Sequence, residues 1–166
     1  TAFICISTFQ PQVGSSMSSR VSALQRSARN GPMSRYRWPV ADAISRATDT
    51  IGVLCIVPAA GITHAMSGVG EAFLDGVPML IVSGGIRTDM EQSFQLHDVD
   101  QQALMRPVTK AQYKIERYED AIPVVYEAYK IAVSGEPGPV FIEVPANLQL
   151  LTGEVDAHGV LAGGYT

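Results

Sequence analysis

The stretch that decides the fold is Gly52-Val-Leu-Cys-Ile-Val57, which is followed at once by Pro58. It shows no alternation of polar and apolar side chains, as is typical of a strand covered on both faces in a parallel sheet. A helical pattern comes next, with apolar side chains at spacings of three and four: Ala65, Met66, Val69, Ala72 and Phe73. Gly76 and Pro78 predict where this helix ends.

Two further apolar runs resemble the first. Pro78-Met-Leu-Ile-Val82 follows the helix and ends at Ser83-Gly-Gly85, so strand, helix and strand predict a right-handed βαβ unit. Pro139-Val-Phe-Ile-Glu-Val144 predicts a third buried strand. We therefore expect residues 51–57, 78–82 and 139–144 to be neighbouring strands of one parallel sheet.

The rest of the chain continues this alternation of strands and helices. The pattern predicts a strand at 2–6, helices at 16–29, 41–47 and 101–105, an edge strand within 108–115, and a helix whose shared face is Tyr118, Ile122, Val125, Tyr129 and Ala132. Residues 86–100 predict a loop that covers a site. The fold class is α/β, a three-layer sandwich with a mostly parallel central sheet flanked by helices. We expect one domain over 1–150 and a linker or tail over 151–166.

Composition excludes several classes of protein. The chain has 166 residues, 46% hydrophobic and 17% charged, which is enough for one domain with a core. Cys5 and Cys55 lie in no CxxC pair, which argues against a disulfide scaffold or a zinc site and favours reduced, buried thiols in a cytoplasmic protein. The uncharged run 51–70 contains Pro58 and four glycines, so we expect no membrane span. The net charge of −4 gives no reason to expect a nucleic acid partner.

The charge is distributed unevenly along the chain. Residues 1–41 contain five arginines, eight serines and no acid, whereas all sixteen acids lie in 42–166. Such a segment is typical of a transit peptide, but a segment read in a wrong frame or a basic surface helix would also fit. Because the chain starts at Thr1 without a methionine, we expect it to be processed or a fragment.

Ligands of such sheets bind beyond the carboxyl ends of the strands, here after Val57, Val82 and Val144. The first of these turns, Pro58-Ala-Ala-Gly-Ile-Thr-His64, has small residues that would allow either a ligand or another backbone to approach. It lacks the GxGxxG pattern and the lysine of a P-loop, which argues against a generic nucleotide-binding domain.

Seven motifs in order resemble the N-terminal domain of thiamine diphosphate enzymes of the acetolactate synthase family. Their order and spacing match over residues 41–150. The motifs are Ala41-Asp-Ala-Ile-Ser-Arg46, Gly52-Val-Leu-Cys-Ile-Val57, Ala60-Gly-Ile-Thr-His64, Asp75-Gly-Val-Pro-Met-Leu80, Phe94-Gln95, Arg106-Pro-Val-Thr-Lys110 and Gly138-Pro-Val-Phe-Ile-Glu-Val-Pro145.

This resemblance implies a thiamine diphosphate-binding fold that holds the aminopyrimidine end of the cofactor at a subunit interface. The partner would be a diphosphate-binding domain or a second protomer, in a homodimer or homotetramer, with Mg²⁺ bound by a domain absent from this chain and FAD as a possible second cofactor. The implied function is that of the N-terminal cofactor-binding domain of a decarboxylase or carboligase, a lyase or transferase acting on a 2-oxo acid. The rival hypothesis is a non-catalytic binding or interaction module of the same fold.

The resemblance also implies site residues. The cofactor-binding residues would be Ala60, Gly61, Thr63, His64 and Phe94, and Gln95 would be catalytic. The turn with Ala-Ala-Gly is more similar to benzoylformate decarboxylase, and His64 stands where the family usually has Asn, so a ligand role and a backbone-bonded role both stay open.

Two more residues admit two interpretations each. Lys110 matches a family lysine but also fits a solvated charge. His97 fits either an acid–base group or a surface histidine.

The sequence departs from the family at two points. The glutamate that bonds the pyrimidine N1′ would fall near Ser34, and residues 1–41 contain no acid. Glyoxylate carboligases of this family also lack that glutamate. The Gly-Asp-Gly…Asn motif of the diphosphate site is missing, so we expect the isolated chain to bind thiamine diphosphate weakly and to be inactive.

Overall fold

The computed structural model describes residues 6–9, 38–48, 50–91 and 96–153 of the chain. They contain a five-stranded sheet with the strand order β1-β2-β3-β5-β4. The strands are β1 (Ile6–Phe9), β2 (Ile51–Ile56), β3 (Met79–Gly85), β4 (Ala111–Lys114) and β5 (Pro139–Pro145). Strands β2, β3, β5 and β4 run parallel, and β1 pairs antiparallel with β2. The three apolar runs are therefore neighbouring parallel strands, which confirms the predicted order.

Five helices accompany these strands in the described residues. They are α1 (Trp38–Ala47), α2 (Ala60–Leu74), α3 (Gln101–Met105), α4 (Ala121–Val133) and α5 (Ala146–Leu150). Single 3₁₀ turns lie at Arg106–Val108 and Tyr118–Asp120. The predicted helix at 16–29 and most of the predicted strand at 2–6 lie outside the described residues. None of the described helices is long and apolar enough to cross a membrane.

The core consists of two clusters, one on each face of the sheet. On one face the strands pack against α1, α2 and α3; this cluster includes Leu54, Met79, Ile81, Phe141, Ile62, Val69 and Met105. On the other face they pack against α4; this cluster includes Val53, Leu80, Val140, Ile142, Ala128 and Ala132. Alternate residues of β2, β3 and β5 face opposite clusters, which explains why these strands show no polar alternation. The three-layer α/β sandwich is therefore confirmed.

Helix α1 packs unusually close to β2 because of Gly52. A Cβ atom at Gly52 would overlap the carbonyl group of Ala41. The Ser45 hydroxyl donates to the carbonyl oxygen of Pro78 (2.6 Å) and accepts from the Gly52 N–H (2.8 Å). This one side chain therefore connects α1 to the start of both parallel strands.

The buried faces of α2 and α4 match the predicted faces in part, since Ala65, Val69 and Ala72 of α2 and Ala132 of α4 are buried. Phe73 and Ile122 are 37% and 38% exposed, whereas Ile62 and Ala128 are fully buried. The periodicity therefore located both helices and most of the buried face of α2, but not every residue of either face. The predicted edge strand is also shorter, since Arg106–Val108 forms a 3₁₀ turn before β4.

Candidate functional site

A cleft of about 380 Å³ opens at the carboxyl end of the sheet, where the sequence predicts ligand binding. Three separate parts of the chain form it: the turn after β2, the end of β3 with the loop that follows, and helix α5. The lining residues are Pro58, Gly84, Gly85, Ile86, Arg87, Leu96, His97, Ala146, Gln149 and Leu150. The volume falls within the range of small-molecule sites.

Hydrogen bonds hold the walls of the cleft together. The backbone N–H and the hydroxyl of Thr88 both donate to Oδ1 of Asn147, at 3.1 and 3.2 Å. Gln149 donates through Nε2 to the carbonyl oxygen of Val144 (2.6 Å). A Cβ atom at Gly84 would lie 3.3 Å from both Pro58 Cδ and Gln149 Nε2, so a larger residue there would crowd the floor of the cleft.

The turn after β2 has an unusual backbone conformation. Ala59 adopts φ 54° and ψ −87°, a combination that costs free energy for any residue with a side chain. Its N–H donates to Oε1 of Gln101 (3.2 Å), and its carbonyl accepts from the Thr63 N–H (3.0 Å). In the described residues, the other non-glycine with positive φ is His97, at 69°. Both strained residues lie at the carboxyl end of the sheet, where functional sites of this fold class are found.

Gln101 is a site-bordering residue that the sequence reasoning missed. Its side chain is 2% exposed, and it also donates through Nε2 to the carbonyl oxygen of Gly84 (3.0 Å). Asp100 caps α3 by accepting from the Ala103 N–H (2.9 Å), which fixes Gln101 as the first residue of the helix. Gln101 and the buried Met105 are four residues apart, so their shared helical face was the signal that could have located it.

The predicted cofactor-binding residues Ala60, Gly61, Thr63 and His64 form the first turn of α2 and do not line the cleft. Ala60, Thr63 and His64 are exposed. The Thr63 hydroxyl and His64 Nδ1 both lie within hydrogen-bond distance of the Ala60 carbonyl oxygen, at 3.1 and 2.8 Å. Because a carbonyl only accepts, this contact requires a proton on Nδ1, which makes Nε2 of a neutral His64 an acceptor.

Gly61 faces inward instead of toward a ligand. A Cβ atom built on it would lie 2.8 Å from Cγ1 of Val57. Packing of α2 against the end of β2 therefore favours glycine at this position, independently of any cofactor.

The structure describes some of the remaining predicted residues and not others. Phe94, Gln95 and Ser34 lie outside the described residues. His97 is half-buried and lines the cleft together with Leu96. The predicted roles of Phe94 and Gln95 stay predictions.

Lys110 has a structural role that neither interpretation of the sequence anticipated. Its Nζ donates to the carbonyl oxygens of Ile131 (2.5 Å) and Ser134 (2.7 Å) at the end of α4. The Ile131 carbonyl oxygen also accepts from the N–H and the hydroxyl of Ser134, and the lysine adds charge-assisted hydrogen bonds that complement the helix dipole. Lys110 is thus neither a freely solvated charge nor part of the cleft.

The charges near the cleft are paired. Arg87 holds both carboxylate oxygens of Asp89, at 2.9 and 2.6 Å, and this hydrogen bonding lowers the pKa of Asp89. The buried carboxylate of Glu143 lies behind Gly85, where it accepts from Nε2 of Gln102 (3.0 Å). None of the cleft-lining residues named above is acidic. Within the described part of the chain, no group of three or more His, Cys, Asp or Glu side chains could hold a metal ion.

Fold and cleft together define a ligand-binding α/β domain. Residues 39–104 match the family model of the thiamine pyrophosphate enzyme, N-terminal TPP binding domain. This segment therefore resembles the N-terminal domain of thiamine pyrophosphate enzymes, which confirms the resemblance that the motifs predict.

Individual proteins support this assignment. The chain is 38% identical over 108 residues to 2-hydroxyacyl-CoA lyase 2 of Caenorhabditis elegans, which covers 65% of this chain and 17% of that protein. It is 31% identical over 109 residues to acetolactate synthase isozyme 3 large subunit of Escherichia coli, covering 66% and 19%. A third relative, 2-hydroxyacyl-CoA lyase 2 of Bos taurus, is 36% identical over 108 residues, covering 65% and 17%. The chain spans less than a fifth of the length of these curated relatives.

Proposed function

We propose that this chain is the N-terminal, pyrimidine-binding part of a thiamine diphosphate-dependent decarboxylase or carboligase that acts on a 2-oxo acid. The observation that carries the proposal is the cleft at the carboxyl ends of β2, β3 and β5. It lies where ligands of parallel α/β sheets bind, and all of its lining residues except those of α5 fall within residues 39–104, which match a cofactor-binding family model.

The lining of the cleft fits the aminopyrimidine end of the cofactor. Pro58, Ile86 and Leu150 offer apolar surface to a flat ring, and His97 and Gln149 add polar groups at its border. Ligand sites generally combine a mostly apolar wall with a few polar groups that orient the ligand. The size and chemistry of the cleft therefore suit a substituted aromatic ring.

When bound, thiamine diphosphate supplies a stabilised carbanion for carbon–carbon bond cleavage and formation. The residues of this chain would bind the ring, orient it and exclude water from it. His64, with its proton on Nδ1, presents Nε2 as an acceptor on the exposed start of α2. Gln95, with Phe94 beside it, is the residue that we propose to contact the reacting groups, on the basis of its motif.

The rest of the site would come from a diphosphate-binding domain or a second protomer, which would supply Mg²⁺ and hold the diphosphate. Two leucines that line the cleft support this: Leu96 is 84% exposed and Leu150 is 75% exposed. Apolar side chains at the opening of a ligand site favour coverage by another surface. We propose a homodimer or homotetramer in the cytoplasm, with FAD as a possible additional cofactor.

A second candidate reaction is cleavage of a 2-hydroxyacyl-CoA. It is favoured by the higher identity to 2-hydroxyacyl-CoA lyase 2 of Caenorhabditis elegans, 38%, than to the Escherichia coli acetolactate synthase, 31%. Both reactions break or form a carbon–carbon bond next to a carbonyl group, so the same ring-binding cleft serves either. Assays of the full-length protein with pyruvate and with a 2-hydroxyacyl-CoA distinguish them, and activity with neither favours the non-catalytic module.

The cleft itself is tested by blocking it. In the full-length protein, Ala146→Leu places a larger side chain in the cleft, and Ala103→Leu makes the same change at an exposed position of α3. We expect Ala146→Leu to raise the Kd of thiamine diphosphate, measured by calorimetry with Mg²⁺, by at least about tenfold, or about 1.4 kcal/mol. Ala103→Leu should leave it unchanged. Equal affinities for wild type and Ala146→Leu would reject the cleft as the pyrimidine site.

A further inference from the structure

A buried amide connects two of the turns that border the cleft. Gln101 accepts through Oε1 from the Ala59 N–H (3.2 Å) and donates through Nε2 to the Gly84 carbonyl oxygen (3.0 Å). Gly84 lines the cleft and Ala59 follows the lining residue Pro58, whereas Gln101 does not line it. Because its side chain is 2% exposed, water cannot readily replace these bonds.

The oxygen of the Gln101 amide faces a hydrogen-bond donor, and its nitrogen faces an acceptor. The Ser83 hydroxyl lies 3.3 Å from Gln101 Oε1 and 3.0 Å from the Gly84 carbonyl oxygen, so its single proton is shared between these acceptors. The donor at Ala59 requires oxygen on one side, and the acceptor at Gly84 requires nitrogen on the other. A residue that only accepts or only donates cannot satisfy both turns.

The conformation of Ala59 explains why such a connection is needed. Its φ of 54° and ψ of −87° persist only where surrounding contacts hold the backbone in place. The hydrogen bond from its N–H to Gln101 is one of those contacts, and it acts on the residue next to Pro58. Loss of this bond would release the turn and change the width of the cleft.

We propose that Gln101 is a positioning residue that fixes the turn after β2 relative to the end of β3 and so sets the geometry of the cleft. Its effect on cofactor binding rests on the proposed function. Gln101 does not touch the ligand in this proposal, because it acts through Ala59 and Gly84.

The test compares two neighbouring glutamines in the full-length protein. Gln101→Met keeps a side chain of similar length but removes every hydrogen bond to the two turns. Gln102→Met is the matched control, since Gln102 donates to the Tyr113 carbonyl oxygen (3.3 Å) and to Glu143 (3.0 Å), away from Ala59. Hydrogen–deuterium exchange of the full-length protein is measured without cofactor, on a proteolytic peptide that contains Ala59. The Kd of thiamine diphosphate is measured with Mg²⁺.

We expect Gln101→Met to accelerate exchange at Ala59 and to raise the Kd, each by about tenfold, the scale of one lost buried hydrogen bond. Gln102→Met should change both by less than about twofold. Gln101→Glu tests for rescue. The ionised carboxylate would present a second acceptor to the Gly84 carbonyl oxygen, whereas the protonated acid accepts and donates as the glutamine does. Burial raises the pKa of a carboxyl group, so the Glu side chain becomes protonated as the pH is lowered from about 8 to about 6. We therefore expect the ratio of the Gln101→Glu Kd to the wild-type Kd to fall toward one over this range.

Unchanged exchange at Ala59 in Gln101→Met overturns the proposal, and so do equal effects of the two Met variants. A constant ratio for Gln101→Glu across this pH range would show that the side chain only fills space. If the wild-type protein binds no thiamine diphosphate, the proposed function fails, while the exchange measurement still decides whether Gln101 holds the turn.

Discussion

Ala59 has a backbone conformation that lowers the stability of the fold while it fixes the position of a turn. Its positive φ places it in a region where a Cβ atom crowds the backbone, which costs about 1–3 kcal/mol. The cost is borne at the turn that leads from β2 into α2, next to a cleft-lining proline. Glycine would adopt the same conformation without this crowding.

We therefore expect Ala59→Gly to stabilise the full-length protein by about 1 kcal/mol, since relief of strain exceeds the added chain entropy of the unfolded state. Urea unfolding measures the change. Ala60→Gly, one residue later within α2, should instead destabilise by about 0.5–1 kcal/mol, because Ala60 already has a helical conformation. A loss of stability in Ala59→Gly would show that the turn is not strained.

Lys110 is a second residue whose role depends on distant contacts. We expect Lys110→Met to lower the free energy of unfolding by about 1–2 kcal/mol, because the carbonyl groups of Ile131 and Ser134 lose their charged donor. Lys130→Met, an exposed change in the last turn of the same helix, should cost less than about 0.5 kcal/mol. Chemical denaturation compares the two, and equal losses would contradict the capping role.

The contacts of Lys110 and Gln101 mark the limit of what the sequence could predict. Local patterns located β2, β3, β5 and the helices α1 to α4, because apolar runs and helical periods are contained within short segments, whereas the short α5 was not predicted. The partners of Lys110 lie 21 and 24 positions away, and Gln101 contacts Ala59 across 42 positions. No local pattern encodes such contacts, so the site's supporting hydrogen bonds appeared only with the fold.

At the scale of elements, β4 and α4 are joined at the edge of the sheet by the Tyr113 hydroxyl, which donates to Oε1 of Glu127 (3.0 Å). Burial raises the pKa of Tyr113 to about 12, and the negative charge of Glu127 adds to this effect. The folded protein therefore holds this proton more tightly than the unfolded chain, whose tyrosine has a pKa near 10.

It follows that this stabilisation is complete below about pH 10 and is lost as the pH rises toward 12. We expect the free energy of unfolding of the wild type to fall between these values by about 1 kcal/mol more than that of Tyr113→Phe, after allowance for solvent screening. Urea titrations at a series of alkaline pH values measure this difference. Parallel curves for the two proteins would show that the Tyr113–Glu127 pair does not couple to folding.

At the scale of the whole molecule, the cleft is formed by three chain segments that meet at one edge of the sheet, and its opening carries exposed leucines. An enclosed small-molecule site excludes water, whereas this one opens to solvent in the single chain. The family's motifs are spread across residues 41–150, and those at residues 52–57 and 138–145 contain strands that end at this edge. The sequence therefore located the edge of the sheet without revealing the residues that line the cleft.

The last prediction concerns what covers this edge. If a second domain or protomer closes the cleft, replacing Leu96 and Leu150 together by Ser in the full-length protein should raise the Kd of thiamine diphosphate by at least about tenfold. Leu74 is 78% exposed and lies at the far end of α2, so Leu74→Ser is the matched control and should leave the Kd unchanged. Calorimetry with Mg²⁺ gives the affinities, and sedimentation reports whether the protomers still associate. Wild-type affinity in the double variant would mean that the cleft works uncovered, and equal losses in both variants would mean that exposed leucines anywhere on the surface have the same effect.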